Sequence, residues 1–196
     1  MTQDFITTKI QDSISVKVAL AADEALMKLI ETASEKITGC FQNDGKVLFC
    51  GNGGSAADAQ HLAAEFSGRF YIDREPLYAE ALHVNSSYIT AVANDYSYDD
   101  IYARLIKAKA RKGDVLVGIS TSGNSENIIR AFKEAKKKDV FTIALTGQSG
   151  GKMKSEVDIL INVPSSDTPR IQESHILIGH IICEIVENAI FKTKND

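Results

Sequence analysis

The sequence predicts a doubly wound α/β fold, a parallel sheet covered by helices on both sides, and three observations lead there. Short runs rich in Val, Ile and Leu recur along the 196 residues, stretches with apolar residues at helical spacing separate them, and glycine- or serine-rich turns follow two of the runs. At 44% hydrophobic and 24% charged, the chain is long enough to bury one core and short for two. With no linker, repeat or low-complexity tract, it reads as a single domain over 1–196.

The elements follow in order. Ile6, Ile10, Ile14 and Val18 recur every four residues, and Leu26, Leu29, Ile30, Ala33, Ile37 and Phe41 continue on helical spacing. Two helices, or one bent one, therefore make an N-terminal extension over 1–44. After the turn Asp44-Gly45, residues 46–50 read as a buried strand that runs straight into Gly51-Asn52-Gly53-Gly54-Ser55, and 55–70 reads as helix. Further strands are expected at 79–84, 114–120, 140–145 and 157–163, with a helix over 125–138. Asp167, Thr168 and Pro169 supply a cap and a first-turn proline for a last helix reaching about Phe191. Ile176, Leu177, Ile178, Ile181, Ile182, Ile185 and Val186 make that helix apolar nearly all round, so more than its own domain must cover it.

Composition removes several classes of function. Lys and Arg number 22 against 26 Asp and Glu, a net charge of −4 that offers no field for gripping a polyanion, so a nucleic-acid partner is not expected. Cys40, Cys50 and Cys183 are odd in number and lack CxxC pairing, which argues against a disulfide framework or structural zinc and fits a reducing cytoplasm. The N-terminus has no apolar signal region, and the apolar run 176–182 is too short to span a bilayer, so no membrane is expected.

Two loops have the chemistry of anion sites. Ligands of open parallel sheets collect at the carboxyl ends of strands, where helix N-termini present unpaired N–H groups. The glycines of 51–55 let backbone approach a ligand. Ser120, Thr121, Ser122 and Ser125 place four hydroxyls within six residues, enough to cradle a phosphate without lysine, whereas a helix cap needs one. No GxxxxGK[ST] loop exists. Gly51-x-Gly53-x-x-Ala56 satisfies a dinucleotide fingerprint, but the next strand lacks the ribose-binding carboxylate.

His61 and Glu65 stand one helical turn apart and share a face, which serves a pocket or a solvated surface equally well. The last helix offers Gln172, Glu173, His175 and His180. His180, between Gly179 and an isoleucine run, is expected to be buried, and a core histidine held by a backbone carbonyl is the competing reading for either. Periodicity does not choose between them. Asn94-Asp95-Tyr96 and residues 146–151 are expected as polar loops that could reach the site.

The runs at 50–61, 118–125, 145–147 with 150–153, and 170–173 resemble the bacterial phosphoheptose isomerase family over essentially the whole chain. The resemblance implies the sugar-isomerase (SIS) fold, a three-layer αβα sandwich with a five-stranded, flavodoxin-like parallel sheet, assembled as a homotetramer. It implies conversion of sedoheptulose 7-phosphate to D-glycero-D-manno-heptose 7-phosphate, the first step toward the heptose of lipopolysaccharide. By matching motif, Asn52, Gly53, Gly54, Ser55, Glu65, Asn94, Asp95, Ser120, Thr121, Ser122, Ser125 and Gln172 would bind substrate. Glu65 and His180 would be the acid/base pair, and His61, Glu65, Gln172 and His180 would hold zinc.

The residue types suit that chemistry. Shifting a carbonyl between C1 and C2 removes a proton beside it and returns one to the neighbouring carbon through an enediol, while another group serves the oxygens. A metal-bound carboxylate is a poorer base, so Glu65 carries two roles in tension. Pro169 before Arg170, and Tyr96-Ser97-Tyr98, depart from the commonest family pattern and alter loop shape, not the key side chains. The alternative is a non-catalytic binding module, as in a paralogue that partners the replication initiator. That paralogue lacks the carboxylate and histidine present here, which favours the enzyme.

Overall fold

The computed structural model describes residues 2–192. Helices α1 (Thr2–Ala21) and α2 (Glu24–Gln42) precede β1 (Val47–Gly51), α3 (Gly54–Ser67), β2 (Ala79–Ala81), α4 (Ser86–Asp95) and α5 (Ile101–Lys109). Then come β3 (Val115–Ser120), α6 (Glu126–Lys136), β4 (Phe141–Thr146), β5 (Ile159–Asn162) and α7 (Thr168–Phe191), with short 3₁₀ turns at Tyr98–Asp100 and Gly151–Ser155. The five strands are all parallel, in the order β2-β1-β3-β4-β5. The expected five-stranded αβα sandwich is the fold.

Strand side chains alternate between two cores. Val47, Phe49, Val117, Ile143, Leu145 and Ile161 face the layer of α2, α3 and α7, while Leu48, Cys50, Leu116 and Ala144 face the layer of α5 and α6. Burial on both faces is why the strands read as unbroken apolar runs rather than alternating ones. The N-terminal stretch is two helices, because the Asp23 carboxylate accepts the Leu26 N–H at 2.9 Å and restarts the chain at α2.

Three expectations change. The strand predicted over 79–84 stops at Ala81: at the sheet edge it pairs only with β1, and the Asn85 side chain captures the Tyr88 N–H at 3.0 Å to open α4. The helix expected to reach Phe70 ends at Ser67, where the Gly68 N–H bonds the Ala64 carbonyl. Asn94 and Asp95 lie in the last turn of α4 rather than in a loop.

Helix α7 is long and apolar enough to cross a membrane by composition alone, yet Ile178, Ile182 and Val186 are buried in the core shared with α2 and α3. Ile185 stays exposed. The chain leaves β1 toward β2 on one side and reaches β3 on the other, so the carboxyl ends of β1 and β3 flank the crevice where such sheets bind ligands.

Candidate active site

Both anion-type loops open at that crevice. In the first, Gly53 takes φ 57° and ψ −122° as it caps α3, a conformation that a side chain would strain. The Asn52 amide is committed within the protein. It exchanges two 2.9 Å hydrogen bonds with the Asn127 amide and accepts the Tyr98 hydroxyl at 3.0 Å. Its second Nδ2 N–H and its backbone remain to meet a ligand. Asn127, buried in the first turn of α6, ties the two loops together. The sequence held one signal of this, an amide interrupting the apolar face that Ile128 and Ala131 carry into the core.

In the second loop, Ser120 and Ser125 face each other with their hydroxyl oxygens 2.9 Å apart, and Ser122 Oγ accepts the Asn124 N–H at 3.2 Å. Thr121 and Ser122 line an open cleft of about 510 Å³ together with Gly147, Gln148, Ser165 and Thr168. The residues lining it include no charged side chain. The N-termini of α6, just past Asn124, and of α7, at Thr168, lie beside it, ends whose free N–H groups favour an anion. The hydroxyls of Ser165, Ser166 and Thr168 go beyond the residues singled out from sequence. Their polar run before the last helix was visible, but its proximity to Thr121 depends on β3 and β5 flanking β4.

Helices α3 and α7 run side by side from this cleft. The Gln172 amide lies over Gly54, Leu62 packs against Gly179, and His61 meets His180, so the two helices advance in step. Gln172 and His180 are eight residues apart, about 12 Å along α7. At the far end, His61 Nε2 lies 2.9 Å from Glu65 Oε1 and 3.2 Å from His180 Nε2. Ligand atoms of these three side chains fall within 4.8 Å of one another.

The donor set fits a divalent cation. A neutral imidazole nitrogen carries either a proton or a lone pair, so His61 Nε2 cannot serve both neighbours well. Two nitrogens and a carboxylate oxygen aimed at one point are the ligands a metal such as zinc takes. Gln172, the fourth expected ligand, has its amide against Gly54 at the first loop. Asn94 and Asp95 hydrogen-bond each other at 2.9 Å on the exposed end of α4, near the Tyr98 turn.

The two histidines of α7 separate cleanly. His175 is fully buried with Nε2 3.1 Å from the Thr146 carbonyl, and burial lowers its pKa to about 4 against that carbonyl's opposing pull. The expectation that His180 is buried is overturned. It is half-buried, its ring 5.0 Å from that of His61 and 5.7 Å from that of Phe70, because α7 turns this position toward the open side of α3.

Comparison with known proteins gives the same picture. The SIS domain family profile matches residues 14–147. A phosphoheptose isomerase of Aneurinibacillus thermoaerophilus is 53% identical over 191 residues, 97% of this chain and 96% of that one. The solved phosphoheptose isomerase of Neisseria gonorrhoeae superposes with a TM-score of 0.90 at 44% identity, over 96% of this chain and 100% of that one. That of Francisella tularensis gives 0.91 at 39%, over 96% and 99%. These matches extend beyond residue 147 to include β5 and α7, the elements that carry Gln172 and His180.

Proposed function

The chain belongs to the phosphoheptose isomerase family of SIS domains, and on that premise we propose that it converts sedoheptulose 7-phosphate to D-glycero-D-manno-heptose 7-phosphate, the step that opens synthesis of the heptose of lipopolysaccharide. The whole chain acts as one SIS domain, with the helices of 1–44 as part of it. It works in the cytoplasm as a homotetramer. Cys40, Cys50 and Cys183, all buried free thiols, support a reducing compartment.

The observation that carries the reading is the convergence of Glu65 and His180, 115 positions apart in sequence, about two helical turns from an uncharged hydroxyl-lined cleft. The phosphate sits among Ser120, Thr121, Ser122 and Ser125 with the N-termini of α6 and α7 directed at it. Ser120 and Ser125, partnered to each other, turn their hydroxyls to the anion when it arrives. The backbone of Asn52, Gly53 and Gly54, the first turn of α3 at Ser55, and Gln172 read the sugar between the two ends. Asn94 and Asp95, one turn before Tyr98, reach it from the side.

At the reacting end, Glu65 and His180 divide the proton transfers. One removes the C1 proton of the ketose to give the enediol and the pair returns a proton to C2, while the other serves the C1 and C2 oxygens. His61, Glu65 and His180 would hold zinc, with Gln172 as the fourth ligand that the family resemblance implies. Bound there, zinc would polarise the substrate oxygens. The His61–Glu65 contact at 2.9 Å holds the carboxylate beside the imidazole with which it would share the metal.

Glu65→Gln and His180→Gln should each lower turnover of the ketose 7-phosphate by about 100-fold or more with the circular dichroism spectrum unchanged. A coupled assay for the aldose product measures it. Near-normal turnover in either variant removes that residue from the role, and no product from the wild-type chain leaves a binding module instead.

A further inference from the structure

Glu65 sits in the last turn of α3, where four carbonyls lack helical partners and the negative end of the helix dipole repels a carboxylate. No basic residue lies in that turn. The cation comes from the next segment: Arg74 Nη2 donates to the Glu65 carbonyl at 2.9 Å and Nη1 to the Phe66 carbonyl at 2.8 Å. Arg74 Nε bonds Glu187 Oε1 at 3.0 Å, and both side chains are only 2% exposed. Glu187 also accepts the backbone N–H groups of Phe70, Tyr71 and Ile72 at 3.1, 2.8 and 3.0 Å. That fixes the turn carrying Phe70, whose ring lies against His180. Glu187 is seven residues beyond His180, on the same face of α7.

We propose that the buried Arg74–Glu187 pair is a positioning device for the isomerisation: it locks the end of α3 and the following turn so that Glu65 and His180 keep their mutual geometry. The inference rests on the isomerase reading above. Stability alone does not account for such a pair, since well-packed apolar residues commonly replace a buried ion pair at no loss. What they would not replace is the planar guanidinium fork, which spans two adjacent carbonyls and a carboxylate at once.

Arg74→Lys keeps the charge beside Glu187 and gives up the fork. Its kcat should fall about tenfold or more with KM for the ketose 7-phosphate within about twofold, and its zinc affinity, read by competition with a chromophoric chelator, should weaken about tenfold. The double variant Arg74→Met with Glu187→Met should fold, by circular dichroism and urea unfolding, and show the same two losses. Wild-type kcat and zinc affinity in either folded variant would overturn the proposal. If neither variant folds, Phe70→Leu, which leaves the pair intact, must lower kcat in the same direction, and full activity there would overturn it instead. A wild-type chain that binds zinc but yields no product would count against the isomerase reading, while the zinc competition still decides the positioning role. A wild-type chain that does neither overturns both.

Discussion

His175 and His180 share a helix but not an environment, and the burial of His175 is measurable as a proton. Burial holds the His175 pKa at about 4, below its ordinary 6.5, so the folded protein keeps it neutral while the unfolded chain protonates it. Its contribution to stability is complete above pH 6.5 and is lost as pH falls toward 4, a span worth about 3 kcal/mol. Urea unfolding at pH 7 and pH 5 should therefore show a smaller acid loss in His175→Leu than in the wild type. An identical pH dependence in both would refute the assignment. Helical periodicity could not separate these histidines, because it places a residue around its own axis and says nothing of which side another helix will cover. The His61–Glu65 turn, by contrast, was legible: both side chains belong to one helix, and i,i+4 spacing fixes their proximity whatever packs around them. The bonds of the Asn52 amide were not legible in that way, because its partners Asn127 and Tyr98 are distant in sequence.

Among elements, the parallel contact of α3 and α7 decides whether there is a site at all. Gly179 is where the two helices touch, for a β-carbon there would overlap the Leu62 side chain. Gly179→Ala should push α7 outward, cost about 1 to 3 kcal/mol by overpacking, and part His180 from His61. The expected signature is a lower denaturation midpoint and a kcat loss larger than the change in KM, measured on protein confirmed folded. Unchanged kcat would mean that the helices do not need this approach to align the cluster. Most strands and helices were readable because Val-, Ile- and Leu-rich runs at period two or 3.6 declare themselves locally. The edge strand β2 was legible in its start but not in its end, which comes at Ala81 although β1 runs on to Gly51, because the Asn85 side chain captures the Tyr88 N–H and opens α4. Helix α7, apolar nearly all round, called for more cover than its own domain gives; within the chain α2 and α3 bury Ile178, Ile182 and Val186, partners fixed only by the sheet order, and Ile185 stays exposed.

For the whole molecule, the decisive feature is what the fold leaves uncovered. Helix α1 docks on α7 through polar contacts, Ser13 donating to Glu173 at 2.6 Å and Arg170 to the Lys9 carbonyl at 3.1 Å. Its apolar residues Phe5, Ile6, Ile10, Ile14 and Val18 are each more than half exposed. The every-four-residue spacing that marked a helix in the sequence is a stripe facing water in the single chain. A continuous apolar patch of this kind marks an association surface. Closed symmetry is the usual way identical chains bury one, each copy lending the same helix face to another. The homotetramer proposed above would cover α1 in that manner and would also take in the exposed edge of α7 at Ile185. Light scattering on the purified chain should give four copies per particle, and Ile10→Asp combined with Ile14→Asp should reduce that number, since a charge at either position cannot enter an apolar interface without large desolvation cost. The variant chain should keep its circular dichroism spectrum, because neither side chain enters the core of its own subunit. A tetramer that survives both substitutions would place the assembly surface elsewhere, and a monomeric wild type would leave the α1 stripe needing a different cover.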